Sequence, residues 1–140
     1  MLNWKMCAVG SAFFAGLTAI LAKIGVKNVP SNLATFIRTL VIVVFISALI
    51  GLRREWKSPA LIDRYSLLFL VLSGITTGLS WLCYFRALQA GPVSLVVTID
   101  KLSLVFAVIL SLLFLGERLG VYQWIGICLI TGGTFIIILK

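Results

Sequence analysis

The chain has 140 residues, of which 61% are hydrophobic and only 11% charged, with a net charge of +8. A soluble domain would be roughly 45–50% apolar and about 25% charged, so the balance excludes a soluble globular protein and points to an all-α integral membrane protein. The cations are scattered at the ends of apolar runs with no basic arm or stripe, so they read as topology-setting and headgroup charges and not as a nucleic-acid surface. Histidine is absent, which excludes a His-based metal site, triad or proton shuttle.

The first apolar run covers residues 3–22, flanked by Lys5 and Lys23. No polar, small-residue cleavage region precedes Lys23, so it reads as a span and not as a signal peptide. Ala8, Ser11, Ala12, Ala15, Thr18, Ala19 and Ala22 recur at three- and four-residue steps and predict a flat face for close helix packing. A polar connection with Val29-Pro30-Ser31-Asn32 follows, in which Ser31 or Asn32 is expected to cap the next helix.

The second run, residues 33–52, carries Arg38 about two turns in. Two readings stand open for it: a snorkelling interfacial anchor, or an inward-facing site residue. Arg53, Arg54, Glu55, Trp56, Lys57, Ser58, Pro59 and Arg64 then form the most charged connection, with Trp56 and Tyr65 suited to the interfacial belt.

The third run, residues 65–88, contains Gly74 and Gly78 at GxxxG spacing, read as packing within the chain. It ends in the aromatic stretch Ser80-Trp81-Leu82-Cys83-Tyr84-Phe85-Arg86. Trp81 and Tyr84 serve either as interfacial anchors or as a stacking wall for a substrate, with Thr76, Thr77 and Ser80 beside them. Cys7, Cys83 and Cys128 lie singly in three different runs, without metal-ligand spacing, and are expected to be buried, inert thiols.

Ala90-Gly91-Pro92 turns into the fourth run, residues 92–115, with Asp100 and Lys101 near its middle. A charge at that depth costs roughly 2.5–3.5 kcal/mol on insertion scales, so a protein or wet enclosure is expected around it. Neighbours on a helix point about 100° apart, so the two do not pair well with each other. Asp100 shares a predicted face with Ser103, Ala107 and Ser111, expected to look toward protein. Asp100 either fixes packing against Arg38, Arg86 or Lys101, or alternates between a proton and a cation or cargo partner. Gly116 and Glu117 shape the following turn, with Glu117 expected to pair with Arg118 or Arg64. The fifth run covers residues 121–139. The reading is a bundle of five transmembrane helices (3–22, 33–52, 65–88, 92–115 and 121–139) in a single domain spanning residues 1–140.

Alternate connections can be compared for charge. One side gathers Lys5, Arg53, Arg54, Lys57, Arg64 and Arg118; the other holds Lys23, Lys27, Arg86 and Lys140, with Arg38 added if it snorkels there. The bias puts the N-terminus in the cytoplasm and the C-terminus outside, and is small enough to be compatible with insertion both ways. Two oppositely inserted copies of a five-span chain would form an inverted pair.

Four segments in order resemble a known family. They are Trp81-x-x-Tyr84-x-x-Ala87-Leu88-x-x-Gly91, Ile99-Asp100-Lys101-Leu102-Ser103, Leu112-Leu113-Phe114-Leu115-Gly116-Glu117-Arg118-Leu119, and Gln123-x-x-Gly126-x-x-Leu129-Ile130-x-x-Gly133. Together they look like an EamA domain of the drug/metabolite transporter superfamily, and most like its small five-span bacterial and archaeal branch. Arg38 matches the arginine that family carries early in its second helix. The chain departs from the commoner members, which have a proline in the fourth helix near the Asp100-Lys101 position. The resemblance implies a carrier or exporter of small metabolites or drugs in the cell's inner membrane, working as a homodimer that is parallel or antiparallel.

A secondary, ion- or proton-coupled transporter is thus the leading expectation, with Asp100, Lys101, Arg38, Tyr84, Trp81 and Ser103 as substrate or coupling candidates. The alternative is a non-transporting membrane subunit that stabilises a partner protein. No enzyme is expected, since no nucleophile-base set is present, and the missing Walker A loop argues against intrinsic ATP-driven pumping. No cofactor or metal is expected, and the partners are the lipid bilayer and a small-molecule substrate.

Overall fold

The computed structural model describes residues 3–56 and 62–139. Lys57, Ser58 and Pro59 of the charged connection, and Lys140, lie outside the described residues. The helices are α1 (Trp4–Gly25), α2 (Ser31–Arg53), α3 (Arg64–Ala90), α4 (Val93–Asp100), α5 (Ser103–Leu110) and α6 (Val121–Ile138), with a π-helical turn at Ser111–Leu115. Among the described residues there is no strand. Five segments are long and apolar enough to cross a membrane: α1, α2, α3, the compound segment Val93–Leu115, and α6. Helices suit this solvent because each backbone polar group finds its partner within its own segment.

Local chemistry sets the helix ends. Asn3 accepts a hydrogen bond from Lys5 N at 3.3 Å and opens α1. The expected Ser31 or Asn32 cap of α2 does not form. Pro30 takes the N-cap place with ψ 136°, its carbonyl accepting from Ala34 N at 2.9 Å, so Ser31 is already helical. Arg54 ends α2 in the left-handed region at φ 53°. Arg54 N donates to Gly51 O at 3.2 Å and Glu55 N to Ile50 O at 3.0 Å, the paired closure that satisfies terminal carbonyls. Asp63 starts α3, its carboxylate accepting from Tyr65 N at 3.1 Å and Ser66 N at 3.3 Å. A negative charge there also complements the positive end of the helix dipole. Gln123 reaches back to accept from Gly120 N at 2.6 Å and starts α6.

The fourth crossing is not the continuous helix that its apolar run predicts. At the charged pair the backbone tightens to i→i−3 bonds: Lys101 N to Thr98 O at 3.1 Å, Leu102 N to Ile99 O at 2.9 Å, and Leu104 N to Lys101 O at 3.0 Å. A mid-helix stretch of this kind marks a hinge or a strained sequence.

The chain forms two compact units, Met1–Ala90 and Gly91–Lys140. In the first, α3 packs against both α1 and α2. The buried side chains gather at one end: Ala19, Val26, Thr35, Phe85 and Leu88, with Leu88 at 0% and Val26 at 1% exposure. Thr35 is satisfied by donating to Ser31 O at 2.9 Å. A polar clasp secures the same end. Lys23 Nζ donates to the Leu88 carbonyl, and Gln89 Nε2 donates to Val26 O at 3.1 Å and Val29 O at 2.6 Å. In the second unit α4 and α5 pack against α6, burying Val96 and Thr134.

Most other apolar side chains are exposed, among them Phe13, Leu113 and Phe114. Such a surface suits lipid or a second protein, not water. Three packing expectations are corrected here. Cys7, Cys83 and Cys128 are exposed, because each lies on a helix face this chain leaves uncovered. Gly74 and Gly78 have open space where a Cβ would stand, so among the described residues of the first unit the GxxxG brings no helix close. On α1 only the C-terminal part of the small-residue face is used: Ala19 is buried, while Ala8, Ser11, Ala12 and Ala15 are exposed.

Candidate functional site

Arg38 on α2 is half-buried, and its guanidinium carbon lies 4.4 Å from the centroid of the Trp81 ring and 5.5 Å from that of Phe85. Trp81 and Phe85 are four residues apart, so they stand one above the other on the same face of α3. A cation over ring faces gains about 0.5–1 kcal/mol when exposed and about 2 kcal/mol when desolvated. Arg38 is thus turned toward the rings of α3. Tyr84, also half-buried, extends the aromatic patch, with its ring centroid 6.4 Å from that of Phe85.

Beside this cation lies a cavity of about 340 Å³ whose lining includes Thr18 of α1, Val26 of the connection, Ala34, Ile37 and Arg38 of α2, and Phe85 of α3. Its lining holds one cation and no carboxylate. A second cavity of about 570 Å³ is lined by Lys23, Ile24, Val26, Lys27, Leu88 and Gln89. Val26 belongs to both walls. The first unit therefore offers an apolar pocket with a single fixed positive charge, beside a cavity bordered by two lysines.

The remaining predicted residues belong to the second unit. Asp100 is the last residue of α4, Lys101 stands in the turn, and Ser103 is the first residue of α5; all three are exposed. The predicted strip of Asp100, Ser103, Ala107 and Ser111 assumed an unbroken 100° step, which the turn interrupts. Asp100, Ser103 and Ala107 are exposed and Ser111 is half-buried. Gly116 occupies the left-handed region at φ 64°, and Glu117 N donates to Ser111 O at 3.4 Å to close the π turn. The role of Gly116 and Glu117 is thus to end the fourth crossing. Among the described residues no three His, Cys, Asp or Glu side chains come together as metal ligands.

Sequence reasoning brought Arg38, Trp81 and Tyr84 forward but passed over Phe85, Gln89 and Lys23. A signal for the first two was present: Trp81, Phe85 and Gln89 recur every four residues and so form one stripe of α3.

Over residues 2–139 the chain matches the model of the EamA-like transporter family. A protein from a Sinorhizobium species, described as an uncharacterized transporter in cobO 3′ region, is 44% identical over 135 residues, covering 96% of each chain. No solved structure matches the chain.

Proposed function

The chain belongs to the EamA-like transporter family and is a multi-pass membrane protein, and on that premise we propose that it is a secondary carrier of small metabolites or drugs. The carrying observation is Arg38, stacked on Trp81 and Phe85 at the wall of a cavity within the span. An ionisable side chain kept inside a transmembrane segment and turned toward protein is a mark of a solute pathway. Arg38, Trp81 and Tyr84 hold the solute in this reading. One family model covers both units, which supports treating residues 1–140 as one transport domain.

Coupling is assigned to the fourth crossing. Asp100, Lys101 and Ser103 sit at the helix break, where backbone groups leave the regular ladder and a local change of angle is cheapest. Asp100 takes up and releases a proton or cation as the crossing bends. Glu117 and Gly116 anchor its end. Two copies make the working unit, since five spans expose apolar faces that this chain leaves uncovered. The membrane is the cell's inner membrane, with the N-terminus cytoplasmic.

Reconstituted proteoliposomes provide the test. Under an imposed proton or sodium gradient the wild type accumulates solute, and Asp100→Asn abolishes the gradient-driven part at unchanged protein level. Accumulation at the wild-type rate in Asp100→Asn removes the coupling role. Crosslinking that captures a different protein and never a second copy favours the partner-stabilising alternative.

A further inference from the structure

We infer that the solute held beside Arg38 is a small organic anion: a carboxylate or similar oxyanion on an apolar, aromatic or branched body. This rests on the transporter reading and adds the chemical class of the cargo. The cavity wall carries one formal charge, the Arg38 guanidinium, and no Asp or Glu lines it; the neutral phenol of Tyr84 is the group near enough to interact with it electrostatically. The guanidinium has its carbon over the Trp81 ring, 4.4 Å from the centroid. Its N–H donors lie at the edge of the guanidinium plane, the fork that grips a carboxylate with two parallel bonds.

The remainder of the wall is apolar, with Leu21, Val26, Ile37 and Phe85 against the single hydroxyl of Thr18. That composition accepts a hydrocarbon body and leaves the hydroxyls of a sugar unmatched. Cations are disfavoured twice over, by Arg38 in the pocket and by Lys23 and Lys27 around the neighbouring cavity. The same three charges draw an anion inward, and Val26, 1% exposed, is the side chain common to both cavities. At about 340 Å³ the pocket is at the small end of the range for ligand sites, which limits the body to one ring or a short branched chain. An oxyanion next to hydrocarbon is also the chemistry of a phospholipid headgroup, so the test must separate a soluble anion from lipid.

Equilibrium dialysis of the full chain in a neutral maltoside detergent, with labelled 3-phenylpropionate as probe, makes that separation. Saturable binding is expected, with no competition from the isosteric 3-phenylpropanamide and none from added phosphatidylglycerol. Arg38→Gln weakens binding about ten- to hundredfold, the loss of a charge-assisted contact. Thr18→Leu, which fills the pocket and leaves the guanidinium in place, also abolishes binding and covers the case in which Arg38→Gln does not fold. Equal competition by the amide, wild-type binding in both variants, displacement of the probe by phosphatidylglycerol, or no saturable binding of the probe overturns the inference. Transport is measured separately in liposomes. A protein that binds 3-phenylpropionate but moves no solute sinks the carrier reading alone. One that moves neutral solutes as fast in Arg38→Gln as in the wild type sinks the anion assignment alone.

Discussion

Leu88 and Leu113 have the same side chain and opposite surroundings. Leu88 is fully covered in the first unit, whereas Leu113 is 73% exposed on the π turn. Leu88→Ala should therefore cost about 2–5 kcal/mol through lost contacts and an unfilled cavity. Leu113→Ala should stay within about 0.5 kcal/mol, as ordinary surface changes do. Reversible unfolding in mixed micelles measures both, and equal losses would show that Leu88 is not a core residue. Gly116 is a second residue whose identity is dictated locally. Its φ of 64° disfavours any side chain, so Gly116→Val should destabilise by about 1–2 kcal/mol in the same assay. Trp81→Ala should lower transport by about tenfold, the factor equivalent to roughly 1.4 kcal/mol, because the guanidinium loses its platform. Transport unchanged in Trp81→Ala would relegate the ring to anchoring.

Among the elements, α3 is the one on which the first unit is assembled. One face of it supplies Trp81 to the Arg38 guanidinium, Phe85 to the guanidinium and the cavity wall, and Gln89 to the clasp, while Leu88 is fully buried. The fourth crossing works differently, since it is interrupted where α3 is continuous. At the break Lys101 has φ −66°, an angle that proline adopts without strain, and its N–H bonds to Thr98 O at 3.1 Å, outside the i→i−4 ladder. Lys101→Pro is thus expected to cost about 1 kcal/mol, the worth of one hydrogen bond. Leu129→Pro in the middle of α6 should cost about 3 kcal/mol or more. Thermal unfolding of the two variants compares them directly, and equal losses would mean that the fourth crossing behaves as an unbroken helix. The apolar run of residues 92–115 gave no warning of the interruption. Hydropathy weighs side chains against lipid, while the choice between i→i−3 and i→i−4 bonds is a small backbone difference that leaves hydropathy unchanged.

At the scale of the whole molecule, five crossings place the two termini on opposite sides of the membrane. Tags on intact cells should show the C-terminus accessible from outside and the N-terminus protected. A C-terminal tag reached equally from both sides would instead identify dual insertion and an inverted pair. Crosslinking in the membrane is expected to give a species of twice the chain mass, in keeping with the apolar faces left uncovered by the chain itself.

By itself, the order of residues determined the number of crossings, their approximate ends, the helical class and the family. Each of these depends on quantities that add along the chain, because the transfer of a side chain into lipid and the closing of a helix ladder involve only near neighbours. It also singled out Arg38, Trp81 and Tyr84, since a cation and amphipathic rings are conspicuous in apolar runs. The tertiary structure alone decided that Arg38 turns inward onto Trp81 and Phe85, and that the three cysteines are exposed while Gly74 and Gly78 have open space beside them among the described residues. It also decided that the α-helix of the fourth crossing is interrupted between Asp100 and Ser103. The first two depend on which segment lies opposite, the third on how the backbone shares its hydrogen bonds. Neither is a sum over neighbouring residues.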